Sequence, residues 1–224
     1  HSLKLKHTGR YLNKAFQKAF QTAKQIRTHT LIQRGSISVG SIAVDLAEKI
    51  FSSLKGKEVL LIGAGDTGEK TARSLMSRGV ERIVVSNRSP ERAEKLAAEF
   101  KGYAISSDQW QDHFQSIDIV VSSTSSPGFV VTRSRLVGLM KLRKNRPLFL
   151  IDLAVPRDVE PEVDLLSNVY LYNIDDLQGM ATESLETRKK EIVHCEKIIK
   201  EKIKSLMPDI TVPISSIGSN PAFE

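Results

Sequence analysis

Val59-Leu60-Leu61-Ile62-Gly63-Ala64-Gly65-Asp66-Thr67-Gly68 is the stretch from which the rest of the chain is read. Four apolar residues run directly into G-x-G-x-x-G, and Glu69-Lys70-Thr71-Ala72-Arg73-Ser74-Leu75-Met76 then carries a helical pattern. A buried parallel strand that ends abruptly needs a tight turn, which Gly63 permits. Gly65 has no Cβ, so a pyrophosphate can approach the backbone, and Gly68 lets the helix lie close to the strand. Free N–H groups and the positive dipole end at the helix start are suited to hold the phosphates. G-x-G-x-x-G alone also describes a plain turn. Strand before, helix after and a second strand at the right distance select the dinucleotide turn, with Gly63, Ala64, Gly65, Asp66, Thr67 and Gly68 as its cofactor-binding residues.

Outward from this turn, strand and helix alternate, which is the pattern of a doubly wound parallel sheet. Strands are expected at 58–62, 82–86, 103–105, 118–122, 147–152 and 168–172. Helices are expected at 67–78, from Ser89-Pro90 to Phe100, from Asp108 to Phe114 and near 132–142, the last followed by a basic loop. The Ser123-Thr124-Ser125-Ser126-Pro127-Gly128 loop falls at the carboxyl end of a strand, where open α/β sheets bind ligands. Asp152 falls at the same edge, either as a chemical group or as a cap on the turn into Val155-Pro156. Before the sheet, Leu12, Phe16, Ala19, Phe20, Ala23 and Ile26 give residues 11–28 an amphipathic helical face with no adjacent partner. A second amphipathic run covers 39–51. After Ile174 a charged helix extends to about Leu206, and Leu185, Ile192, Ile199 and Leu206 recur every seven residues. That seam suits packing along another helix, in this chain or a second copy; a helix lying on the sheet is the alternative. Asp175-Asp176 fits a helix N-terminus, and the 208–224 tail has the composition of a disordered segment.

NAD-binding turns place an acidic residue after the second strand, to hold the ribose 2′-hydroxyl. This chain has Ser86-Asn87-Arg88-Ser89 there. Ser86 and Asn87 can hydrogen-bond a 2′-phosphate and Arg88 can pair with its charge, where a carboxylate would repel it. Arg92, one helical turn on, adds a second positive group. NADPH is therefore the expected cofactor.

The net charge of +7 is uneven: residues 1–34 hold eight Lys or Arg and no acid, and the remainder sums to −1. A basic segment suits a polyanionic partner or a solvated helix face, and no aromatic-interleaved RNA motif decides between them. The single cysteine, Cys195, excludes an internal disulfide and fits a reducing compartment. No apolar run approaches the roughly 18–20 residues that span a bilayer, and no secretory signal opens the chain. The five histidines are scattered without metal-ligand spacing, so no metal is expected.

Several stretches together resemble glutamyl-tRNA reductases. They are Ser36-Ile37-Ser38-Val39-Gly40-Ser41-Ile42-Ala43-Val44-Asp45-Leu46-Ala47, the Gly63–Gly68 turn, Ser86-Asn87-Arg88-Ser89 and Ile119-Val120-Val121-Ser122-Ser123-Thr124. Most specific are Ile151-Asp152-Leu153-Ala154-Val155-Pro156-Arg157-Asp158-Val159 and Tyr170-Leu171-Tyr172-Asn173-Ile174-Asp175-Asp176-Leu177-Gln178. The resemblance runs from about residue 8 to 206. It implies NADPH-dependent reduction of the glutamyl group of glutamyl-tRNA(Glu) to glutamate-1-semialdehyde, opening tetrapyrrole biosynthesis, through a thioester on a cysteine. It also implies a V-shaped dimer of three-domain subunits, a spinal helix, and glutamate-1-semialdehyde aminomutase as a candidate partner. Ser123 and Thr124 would then lie near the cofactor.

The family cysteine lies far upstream of the nucleotide domain, and no cysteine precedes Cys195 here. The chain is thus expected to be a fragment, binding cofactor without turnover by itself: a remnant of the catalytic domain at 1–38, a Rossmann-type NADP domain at 39–173, part of the spinal, dimerising helix at 174–207, and the tail. The orphan face of 11–28 agrees with a removed partner. The expected location is the cytoplasm, or the plastid stroma in a plant. Two alternatives remain, a shikimate-dehydrogenase-like NADP oxidoreductase, for which too few residues precede the nucleotide domain, and a non-catalytic nucleotide-binding, dimerising module.

Overall fold

The computed structural model describes residues 9–32, 35–144 and 146–206. The 208–224 tail and the basic residues Lys4, Lys6 and Arg34 lie outside them. Gly35–Leu185 form one compact unit, and described residues from before 35 and after 185 form another.

The first unit is a six-stranded sheet, entirely parallel, in the order β3-β2-β1-β4-β5-β6. Its strands are β1 (Glu58–Ile62), β2 (Arg82–Asn87), β3 (Tyr103–Ser106), β4 (Ile119–Ser122), β5 (Leu148–Asp152) and β6 (Val169–Asn173). The order reverses between β1 and β4, so the loops that leave these two strands diverge and leave a crevice. Strand periodicity divides the apolar residues between two cores. Val59, Leu61, Ile83, Val85, Ile119, Val121, Phe149 and Ile151 face one layer of helices, and Leu60, Ile62, Val84, Val120, Leu148 and Leu150 face the other. The first layer holds α2 (Val39–Phe51), α3 (Asp66–Ser77), α4 (Pro90–Glu99) and the start of α7 (Ile174–Leu206), with Leu177 fully buried. The second holds α5 (Trp110–His113) and α6 (Arg133–Leu142), with Trp110 edge-on to Phe114 at 5.6 Å.

Capping sets several helix starts. Ser38, Ser89 and Thr132 each accept the N–H three residues on, and Pro90 begins α4. At β6, Asn173 accepts the N–H groups of Asp175 and Asp176 through its side chain, so Asp175-Asp176 do open α7. Along β6, the N–H of Val169 donates to Leu166 O, that of Leu171 to Asp164 Oδ1 and that of Asn173 to Asp176 Oδ2. The helix expected from Asp108 is a single turn, because Gln109 N closes a turn on Ser106 O and α5 starts only at Trp110.

The basic loop after α6 includes a fastening at the amino-terminal end of the sheet. Arg143 is 1% exposed; Nη1 donates to the carbonyls of Phe114 (2.8 Å) and Ile117, and Nη2 donates to Pro147 O at 2.8 Å. Burial, together with neighbouring Arg146, pushes its guanidinium down to about 10, against the pull of Asp118. Arg146 reaches buried Asp118 at 2.7 Å, and Asp118 also accepts the Glu58 N–H.

In the second unit, α1 (Arg10–His29) has no buried residue and its apolar side is open, with Phe20 71% exposed. The Cys195 thiol is buried and lies 3.6 Å from Thr30 Oγ1, in keeping with a packing role. Of the seven-residue seam of α7, Leu185, Ile192 and Ile199 are exposed and Leu206 is half-buried.

Candidate dinucleotide-binding site

Between the carboxyl ends of β1, β2 and β4 lies a cleft of about 740 Å³. Its wall includes Gly63, Ala64, Gly65, Asp66, Ser86, Asn87, Arg88, Ser123 and Thr124, so nine of the eleven residues expected from sequence converge on it. Thr67 and Gly68 are not on that wall; they belong to the first turn of α3 behind it. Gly63 has φ of +88°, which a side chain would strain, and its N–H donates to Ser86 O at 2.8 Å.

The glycine spacing answers to a neighbour as well as to a ligand. A Cβ on Gly65 would stand 2.5 Å from Ser123 Oγ, and one on Gly68 would stand 2.8 Å from Ser123 Cβ and 3.3 Å from Leu61. The β4 exit is therefore seated in the glycine turn. Helix–strand closeness explains Gly68 as expected, with Ser123 as an added reason. The first N–H bonded within α3 is that of Glu69, to Gly65 O, so the N–H groups of Asp66, Thr67 and Gly68 have no acceptor inside the helix. A pyrophosphate fits there, although the Asp66 carboxylate also stands at this positive end.

On the β2 side, Arg88 is exposed and takes no hydrogen bond or ion pair among the described residues. Arg92 is committed differently, donating to Ala64 O at 3.1 Å and so bracing the glycine turn. Ser86 is fully buried; its hydroxyl is 3.5 Å from Ser106 O. Sequence reasoning passed over Ser107, which enters the wall because β3 lies beside β2.

Asp152 serves as a turn cap. Its carboxylate accepts the N–H groups of Ala154, Asp158 and Val159 at 3.0–3.3 Å. Burial raises its pKa; the three donors oppose that shift and the nearby Asp158 carboxylate adds to it. Asp152→Asn places an N–H₂ against these donors, and is expected to lower unfolding free energy by about 1–3 kcal/mol in urea titration.

Fold and site together define a Rossmann-type nucleotide-binding domain of the kind that takes a nicotinamide cofactor. The chain belongs to the Shikimate / quinate 5-dehydrogenase family, whose model matches residues 45–180. Curated proteins similar to the chain include glutamyl-tRNA reductases, as the sequence resemblance implied. That of Akkermansia muciniphila is 47% identical over 197 residues, covering 88% of this chain and 58% of the relative. That of Syntrophus aciditrophicus is 46% identical over 196 residues, covering 88% and 46%. The solved glutamyl-tRNA reductase from Methanopyrus kandleri matches with a TM-score of 0.78 at 39% identity, over 92% of this chain and 52% of that one. The chain thus spans about half the length of the curated relatives it matches. Among the described residues, no helix is long and apolar enough to cross a membrane.

Proposed function

We propose that this chain is the NADPH-binding part of an enzyme that reduces the glutamyl group of glutamyl-tRNA(Glu) to glutamate-1-semialdehyde, at the start of tetrapyrrole biosynthesis in the cytoplasm. The observation that carries the cofactor choice is Arg88 on the cleft wall, at the end of β2, unpaired among the described residues and with no carboxylate at the ribose position. When bound, NADPH supplies a hydride. The chain's own residues bind and orient: the α3 N-terminus holds the pyrophosphate, Asn87 and Arg88 take the 2′-phosphate, and the Ser123–Ser126 loop borders the other half of the cleft. The support for the substrate is the 40–47% identity to glutamyl-tRNA reductases. In this reading the nucleophilic cysteine lies outside these residues, since Cys195 is buried against Thr30. Dimerisation through α7 is part of the same reading, supported by its exposed seam.

Calorimetric titration of the chain with NADPH and NADH tests this. NADPH is expected to bind at least about 10-fold more tightly, the value of a charge-assisted contact to one phosphate. Equal affinities would refute the 2′-phosphate site.

A further inference from the structure

Asp158 is a buried carboxylate that the cofactor contacts leave unused. It is 0% exposed and is not on the cleft wall. It accepts the Ser122 hydroxyl at 2.7 Å, the Thr124 N–H at 2.9 Å and the Thr124 hydroxyl at 2.5 Å. Its backbone carbonyl accepts the N–H groups of Val130 and Val131 at 2.7 and 3.0 Å. One residue thus grips both ends of the loop that leaves β4. Asp158 is itself held from behind, because its N–H donates to Asp152. Within the loop, the Thr124 hydroxyl also accepts the Ser126 N–H at 3.0 Å, and Ser123 sits against Gly65 and Gly68.

In a doubly wound sheet of this order the β1–β3 half receives the adenosine end of a dinucleotide and the β4–β6 half receives the nicotinamide end. Ser123, Thr124, Ser125 and Ser126 line the cleft on that second side. We infer that Asp158 is a positioning residue for the nicotinamide half of the cofactor: it clamps the 123–131 loop so that Ser123, Ser125 and Ser126 meet the ligand in one arrangement. This rests on the NADPH reading above. It also refines the expectation for Thr124, whose hydroxyl proton is given to Asp158, so Thr124 contributes wall and loop shape in place of a donated hydrogen bond. A ligand-contacting loop held by a buried second layer of hydrogen bonds is set more sharply than one held by its own contacts.

The test compares NADPH with adenosine 2′,5′-bisphosphate, which carries the 2′-phosphate end and no nicotinamide. Asp158→Asn conserves volume but presents N–H₂ where acceptors are needed, and Thr124→Val removes the hydroxyl's bonds to Asp158 and to the Ser126 N–H while leaving the Asp158 carboxylate and its bonds to Ser122 and the Thr124 N–H. Asp158→Asn is expected to weaken NADPH about 10-fold or more and Thr124→Val about 3-fold, in line with the loss of charge-assisted and single hydrogen bonds. The bisphosphate should bind both variants within about twofold of wild type, because its 2′-phosphate contacts lie on the β2 side, away from the clamp. Hydrogen exchange of the ligand-free variants should quicken at 123–126 while β1 stays protected. Thr124→Val keeps the test decisive if Asp158→Asn does not fold. Equal weakening of both ligands, or unchanged NADPH affinity, would overturn the inference. Wild-type protein that binds neither ligand would overturn the cofactor reading and the inference together, a result distinct from wild-type binding with unaffected variants.

Discussion

Replacing Arg143 by methionine is expected to lower the unfolding free energy by about 3–5 kcal/mol, the range for removing one partner from a buried charged network. Methionine fills much of the space but offers no donor, so the carbonyls of Phe114, Ile117 and Pro147 are left facing apolar neighbours. These carbonyls belong to the segment entering β4 and the segment entering β5, so the loss falls on two central strands at once. The guanidinium also lies over the Phe114 ring at 5.5 Å, a contact that methionine replaces only in part. Arg143→Lys retains the charge without the planar fork and should lie between the two. Urea unfolding checks the ranking. Because Arg143 stands at the amino-terminal end of the sheet and the cleft at the carboxyl end, folded protein of either variant should bind NADPH with unchanged affinity.

Arg88→Ala should weaken NADPH about 10- to 100-fold, as expected for a charge-assisted contact to a phosphate, and leave NADH within about twofold. Calorimetry on both ligands separates this from damage to the fold, which would affect both. Arg88 is free and exposed, so its removal disturbs no hydrogen bond among the described residues. The exposure also predicts that the NADPH advantage shrinks as salt rises toward 1 M, where the Debye length is about 3 Å. Arg92→Ala is a different lesion: it releases Ala64 O and loosens the glycine turn, so it should weaken NADPH and NADH together.

The sheet and its cleft were legible because their signals are local. An apolar run, a glycine-spaced turn and a helical pattern stand side by side at Val59–Met76, and each next strand repeats the alternation. The place of Arg88 on the cleft wall was legible for the same reason, because it directly follows the second strand. The clamp at Asp158 was not, since its partners Ser122 and Thr124 lie 36 and 34 residues earlier and meet it only after β4 and β5 pair. Arg143 was not legible for a related reason: nothing in Lys141-Leu142-Arg143-Lys144 marks one base out from its neighbours, and only the fold brings three carbonyls to this side chain. Gly65 and Gly68 were correctly placed at the turn, but Ser123, the residue that fills the space they leave, comes from a distant strand.

The last strand of the sheet bears on how the molecule avoids sticking to itself. An outer strand normally offers its outward N–H groups to any passing extended segment, which invites strand addition, swapping and aggregation. In β6 those groups belong to Val169, Leu171 and Asn173, and each is already taken, two of them by aspartates. A seventh strand could donate to the outward carbonyls of β6, but it would have to displace two bonds to aspartates before its own carbonyls could accept from Leu171 and Asn173. The β6 edge is thus a poorer template for strand addition than a bare one, because its donors are already spoken for.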